Sequence, residues 1–135
     1  MYHNSPGQRM EFMAATPSHE DREVWLLLVC FASRTFFVSF VDAEKFPFPL
    51  AERTEVRFRL DALRPVVLPV AGVEQKQITA DPDSTKDLFA VLSRSKSLSV
   101  SIPERTGATH DYSFALQPND VALRDIDIHC FQSGT

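Results

Sequence analysis

The sequence predicts a mainly β domain, either an antiparallel β-sandwich or a strongly curved sheet of about seven strands. Three observations predict it. Short apolar and aromatic runs recur along the chain, residues 54–61 alternate between charged side chains and side chains that can face a core, and the stretch after Asp81 changes to helical spacing. With 135 residues, the chain is large enough for one core and too small for two ordinary domains.

Two pairs of strand-like runs predict two hairpins. Residues 23–30 are apolar on both faces, as in a buried strand, and residues 36–41 follow after a short polar turn. Residues 97–102 and 112–116 alternate apolar with polar side chains around a turn that contains a glycine. Each pair therefore predicts two neighbouring antiparallel strands.

The middle of the chain predicts three further strands. Residues 54–61 form a half-exposed strand, and residues 65–70 and 77–80 form shorter ones. We expect 65–70 to lie towards an edge, because its two prolines cannot donate hydrogen bonds to a ladder. Residues 45–50 also contain two prolines and predict an extended crossing loop with its phenylalanines against an apolar surface.

Helical spacing predicts one secure helix at about residues 84–95, with Asp83 or Ser84 as its cap. Residues 119–128 favour a second helix that either of its first two residues can cap, although their alternation also fits a strand. No internal repeat is present.

The predicted organisation is a flexible leader at residues 1–21, a single β-rich domain at 22–131 and a tail at 132–135. The N-terminal segment has no apolar core of a signal peptide, so either the chain is cytoplasmic or its leader has been removed. The longest apolar run, residues 24–32, is far shorter than the ~20 residues of a membrane-spanning helix.

Cys30 and Cys130 lie near the two ends of the predicted domain. If they pair, the bond closes a loop of about 100 residues, for which chain entropy gives roughly 4.7 kcal/mol of stabilisation. The alternative is two buried free thiols. We favour the disulfide because the two ends are where a bond helps most, and it places the protein in an oxidising compartment, periplasmic or secreted.

Composition and motifs argue against several functions. A net charge of −4 does not suit a general nucleic-acid binder. Phosphate loops and serine-nucleophile elbows are missing from the sequence, and adjacent residues such as His129 and Cys130 point in different directions, which makes them a poor catalytic pair. We therefore expect no enzyme activity, no cofactor and no metal site.

The charged face of residues 54–61 is the best candidate for a partner contact. Arg57 and Arg59, followed by Asp61, form a charged stripe on the outer face of the predicted sheet. Arginine is suited to bidentate recognition of acidic groups. The alternative is a solvated face with cross-strand ion pairs.

The order of features resembles a family. A strand ends in Cys30, a later strand ends in Arg59-x-Asp61, and a helix precedes closing strands that carry Phe114-x-Leu116 before a last Cys130. Over residues 22–131 this resembles small periplasmic bacterial proteins of the type VI secretion accessory (VasI-like) and invasion-associated locus B groups. The resemblance implies an exported, non-catalytic β-sandwich with bridged cysteines that contacts the envelope or secretion machinery.

Three functional hypotheses follow from the sequence. The first is an exported accessory or binding domain with a protein partner at Arg57 and Arg59. The second is an inhibitor of a cell-wall hydrolase that places residues 103–109 in the target's cleft. The third is a small enzyme that uses Cys130. The oligomeric state does not follow from the sequence.

Overall fold

The computed structural model describes residues 10–50, 53–73, 75–118 and 120–132. The eight strands of these residues are β1 Met10–Pro17, β2 Val24–Phe31, β3 Phe36–Asp42, β4 Arg53–Leu60, β5 Val66–Val73, β6 Gln77–Ala80, β7 Ser97–Pro103 and β8 Thr109–Ala115. The predicted mainly β class is confirmed. The strands form one strongly curved antiparallel sheet rather than two packed sheets.

The sheet is nearly closed. Its order is β1-β2-β3-β6-β5-β4-β7-β8, and both predicted hairpins, β2–β3 and β7–β8, are present. The first and last strands approach each other where Ser18 forms a bridge with Phe114. Close to this bridge, the hydroxyl of Thr16 donates to the carbonyl oxygen of Ala115 at 3.3 Å. We call this boundary between β1 and β8 the seam.

Strand β1 corrects the predicted start of the domain. The sequence assigns residues 1–21 to a flexible leader, yet Met10–Pro17 pairs with β2. The sequence of β1, MEFMAATP, gives no clear alternation of apolar and polar residues, and the strand forms because β2 supplies a hydrogen-bonding partner from further along the chain. The first nine residues and residues 133–135 lie outside the described part, so the prediction of a flexible leader and tail is not tested there.

Strand β5 corrects the expectation of an edge position, since it lies between β4 and β6. Pro69 is accommodated because β6 ends opposite Val70 at Ala80. The carbonyl oxygen of Pro69 still accepts a hydrogen bond from the amide of Asp81, at 3.0 Å. The missing proline amide thus falls at the end of the β5–β6 ladder, where it interrupts little.

The core fills the inside of the curved sheet. Phe40, Phe58 and Phe114 are each fully buried, and the ring of Phe40 lies 5.7 Å from Phe114 and 6.4 Å from Phe58, centroid to centroid. Phe40 comes from β3, which two strands separate from the β4 of Phe58 and four from the β8 of Phe114. Their contacts therefore hold opposite walls of the sheet together.

The segment between β3 and β4 covers one end of the core, as predicted. Phe46, Phe48 and Leu50 are all buried. Gln75 fixes this segment: its side-chain amide donates to the carbonyl of Phe48 at 2.7 Å, and its side-chain oxygen accepts from the amide of Leu50 at 2.7 Å. The side chain of Gln75 thus bonds to the backbone on both sides of Pro49, where the prolines interrupt strand pairing.

The first helical segment runs through α1 Pro82–Thr85, a 3₁₀ turn Lys86–Leu88 and α2 Phe89–Leu92. The predicted helix is present, but neither Asp83 nor Ser84 caps it. Asp81 does, because its carboxylate accepts from the amide of Ser84 at 3.2 Å and from the hydroxyl of Ser84 at 3.0 Å. Proline at the first helical position suits this start, since its missing amide would have no helical partner.

The C-terminal region, whose sequence fits either a helix or a strand, is helical. Helix α3 is Val121–Ile126, and a π-helical turn Asp127–Phe131 continues it. Asp120 caps the helix by accepting from the amide of Ala122 at 2.9 Å. The ring of Phe131 stacks on Phe89 at 4.4 Å and so docks the end of the chain against α2.

The disulfide is present. Cys30, at the buried end of β2, is bonded to Cys130 in the π-helical turn, with a Cα–Cα distance of 6.0 Å. This distance lies in the usual range for such bonds. The bond spans 100 residues and ties the C-terminal helical segment to the end of β2.

Candidate functional site

A polar groove of about 340 Å³ lies on the outer face of the sheet, where β4, β7 and β8 are neighbours. The register assembles it. Arg57 of β4 lies opposite Ser101 of β7, Arg59 lies opposite Ser99, and Ser101 lies opposite Asp111 of β8. Both predicted arginines therefore line one groove, which we call the arginine groove.

The two arginines of the groove differ in how they are held. The guanidinium of Arg59 donates to the carbonyl oxygen of Leu63 at 3.0 Å and to that of Ala62 at 3.4 Å, and so braces the turn after β4. Arg57 is exposed and makes no side-chain hydrogen bond to the described residues. Within the described part of the chain the single ion pair joins His110 to Glu104, so neither arginine has a described carboxylate partner.

The two carboxylates of the groove are already engaged within the protein. Glu20 accepts from the amide of Ser113 at 2.7 Å and from its hydroxyl at 2.6 Å, and Asp111 accepts from the hydroxyl of Ser101 at 2.6 Å. Partial burial raises the pKa of Glu20, but the two hydrogen bonds from Ser113 outweigh it and hold this pKa below its ordinary value of 4.5. Glu20 is therefore ionised at neutral pH.

Asp61, the third residue predicted for a partner contact, is placed outside the groove and has an intramolecular role. It adopts a left-handed conformation, with φ of 48°, at the turn after β4. Its carboxylate accepts from the amides of Lys96 and Ser97, at 2.9 and 3.0 Å, and from the hydroxyl of Ser97 at 3.3 Å. These bonds join the end of β4 to the start of β7.

We expect Asp61→Ala to lower the free energy of unfolding by about 1–2 kcal/mol, because the variant loses these charge-assisted bonds and places alanine at a positive φ. Asp61→Asn is the matched control. Asparagine tolerates the left-handed conformation and keeps one acceptor oxygen. Asp61→Asn should therefore lower the free energy of unfolding by less than half as much as Asp61→Ala does. Urea denaturation measures both, and an unchanged Asp61→Ala midpoint would contradict the role.

The turn between β7 and β8, which the inhibitor hypothesis would place in the cleft of a hydrolase, is exposed at residues 105–109 and braced at its base. The guanidinium of Arg105 donates to the carbonyl oxygen of Leu50 at 3.2 Å. Glu104 lies 2.8 Å from the ring of His110 and forms a β-bridge with Leu50. The turn is therefore held in one shape rather than left as an open loop.

Cys130 offers no thiolate in this structure, because its sulfur is bonded to Cys30. The neighbouring ring of His129 is half-buried rather than solvated and lies 5.0 Å from the ring of Phe12. Its Nε2 atom is buried without a hydrogen-bond partner among the described residues. This environment orients the ring by packing rather than by a catalytic contact.

The described residues contain no group of three or more His, Cys, Asp or Glu side chains that is arranged to hold a metal ion. None of their helices combines the length and apolar character needed to cross a bilayer.

Comparison with family models, with curated proteins and with solved structures finds no match to this chain. Its function is therefore argued from its own residues.

The sequence pointed to the arginines of the groove but not to the groove itself. The alternation of Ser99 and Ser101 with apolar residues predicted that both serines lie on the solvent-exposed face of a strand. Glu20 was missed because it falls in the segment predicted as a leader. The pairing of β4 with β7 was also missed, since these strands are separated by a hairpin and a helix that no local pattern connects.

Proposed function

We propose that this protein is a non-catalytic, exported binding domain whose arginine groove holds an acidic segment of a partner protein. The disulfide supports export, because such bonds persist in oxidising compartments. The likeness to periplasmic secretion-accessory and invasion-associated proteins belongs to the same proposal. The observation that carries it is the exposed guanidinium of Arg57, which has no described ionic partner, beside Arg59 in one groove.

The groove favours an acidic, extended segment. Arg57 and Arg59 are alternate residues of one strand, so their side chains leave the backbone about 7 Å apart. An extended peptide repeats its side chains at the same interval, and two acidic residues separated by one position would match both guanidinium groups. Since Glu20 and Asp111 already accept hydrogen bonds from serines, the groove's available charged donors are the guanidinium of Arg57 and the N–H groups of Arg59 that do not bond to the turn after β4.

The test is binding of an extended peptide with glutamates at alternate positions, measured by fluorescence anisotropy. We expect Arg57→Ser to weaken binding by about tenfold, which corresponds to about 1.4 kcal/mol. Arg53→Ser is the matched control, because Arg53 is exposed on the same face of β4 but lies outside the groove. A lysine peptide should not bind, and added salt should weaken the glutamate peptide.

Equal loss of binding in Arg53→Ser and Arg57→Ser, or none in either, would refute the role of the groove. The braced and exposed β7–β8 turn favours one second candidate, an inhibitor of a cell-wall hydrolase, since a pre-organised loop loses little entropy on binding. Inhibition of a purified hydrolase that survives Arg57→Ser would favour this second candidate.

A further inference from the structure

The seam opens into a cavity of about 150 Å³ that is separate from the arginine groove and shares no lining residue with it. Its floor is formed by Leu26 and Leu28 of β2, which point into the interior and are buried. The small side chain of Ala14 in β1 leaves space above them. On the other side the cavity is bounded by Leu116 and by Leu123 of α3.

The lining divides into an apolar interior and a polar mouth. The leucines and alanines of its interior offer no side-chain hydrogen bond to a water. Thr16, Gln117 and Asp120 add polar groups to the same lining. The volume of about 150 Å³ is comparable to that of protein cavities that accept a benzene-sized guest. The volume and the lining of the cavity therefore suit a ligand with one compact apolar end and one polar end.

The elements around the cavity leave an entrance that suits a small molecule. The hydrogen bond from Thr16 to the carbonyl oxygen of Ala115 closes the seam on one side. Helix α3 packs against β1, and the disulfide at Cys130 anchors the segment that follows this helix.

We propose that the seam cavity is a binding site for a small amphipathic molecule, with a single ring or a branched alkyl group of similar size inside and its polar end at the mouth. The nearby backbone is held by the sheet on one side and by α3 on the other, so the site is largely preformed. The proposal does not depend on the arginine groove.

The test uses benzyl alcohol, benzylamine and phenylacetate as probes, with backbone amide shifts recorded by NMR on the disulfide-bonded protein. We expect a saturable shift of the amides of Ala15, Thr16, Ala115 and Leu123 with at least one probe. Ala14→Leu, which fills the space above the floor, should weaken binding by about tenfold or more because it removes room for the ring. Ala90→Leu, on the exposed side of α2, is the matched control and should bind as the wild type does.

Should Ala14→Leu fail to fold, Ala115→Leu at the rim provides the second filling variant. The proposal is overturned if no probe shifts the lining amides saturably. It is equally overturned if a folded filling variant binds as tightly as the wild type. Neither result would bear on peptide binding at Arg57, so the two sites fail independently.

Discussion

Reduction of the Cys30–Cys130 bond will lower the free energy of unfolding by about 4–5 kcal/mol, the amount that chain entropy gives for a loop of this length. The bond spans 100 residues and holds α3 and the π-helical turn against β2. Without it, the unfolded chain gains conformations that the closed loop excludes. Denaturation in guanidinium chloride, with and without reductant, measures the difference.

The control for this prediction is Cys30→Ala combined with Cys130→Ala. Cys30 is fully buried, so the double variant also leaves a small space and should be less stable than the wild type. Its midpoint should not respond to reductant. An equal response in the variant would show that the reductant acts elsewhere, and an unchanged midpoint in the reduced wild type would contradict the stabilising role.

Phe40→Ala should lower the free energy of unfolding by about 3–5 kcal/mol, the usual range for removal of a buried phenylalanine. Phe40 is fully buried between Phe58 and Phe114, and its removal opens a cavity between opposite walls of the sheet. Urea denaturation followed by circular dichroism measures this loss.

Phe37→Ala is the matched control, because Phe37 is the half-buried outward residue of the same strand. It packs on Phe31 at 5.0 Å, outside the core. Phe37→Ala should lower the free energy of unfolding by less than half as much as Phe40→Ala does. Losses of equal size would mean that the interior cluster does not carry the packing that we assign to it.

Local pattern was enough to predict most of the strands. Residues 54–61 alternate because one face of β4 packs on the core while the other meets solvent, as its burial shows. The hairpins β2–β3 and β7–β8 were predictable because each joins neighbouring runs across a short turn. The crossing segment followed from its prolines, which cannot supply ladder donors.

The closure of the sheet was beyond local pattern. It depends on β1, whose mixed sequence has no strong strand preference, and on the bridge between Ser18 and Phe114, which lie near opposite ends of the described chain. The interior position of β5 was mispredicted for a related reason. A proline excludes a strand from an interior position in a sheet only where the neighbouring strand needs an amide donor. Because β6 ends at Ala80, opposite Val70, no residue of β6 needs a donor at Pro69.

In the candidate sites too, local pattern predicted some features, while others depend on the assembled fold. Arg57 and Arg59 were predicted because alternation places both on the solvent face of β4. Asp61 was expected to join them, but the chain turns there and its carboxylate bonds to Lys96 and Ser97 instead. The seam cavity involves four separate elements, so only the assembled fold reveals it.

The most direct test of the central claim is the redox state of Cys30 and Cys130 in protein isolated from its native cells, with free thiols alkylated at lysis. Peptide mapping by mass spectrometry without reductant should recover the two cysteine peptides joined to each other. Recovery of both as alkylated, separate peptides would contradict a covalently closed, exported domain.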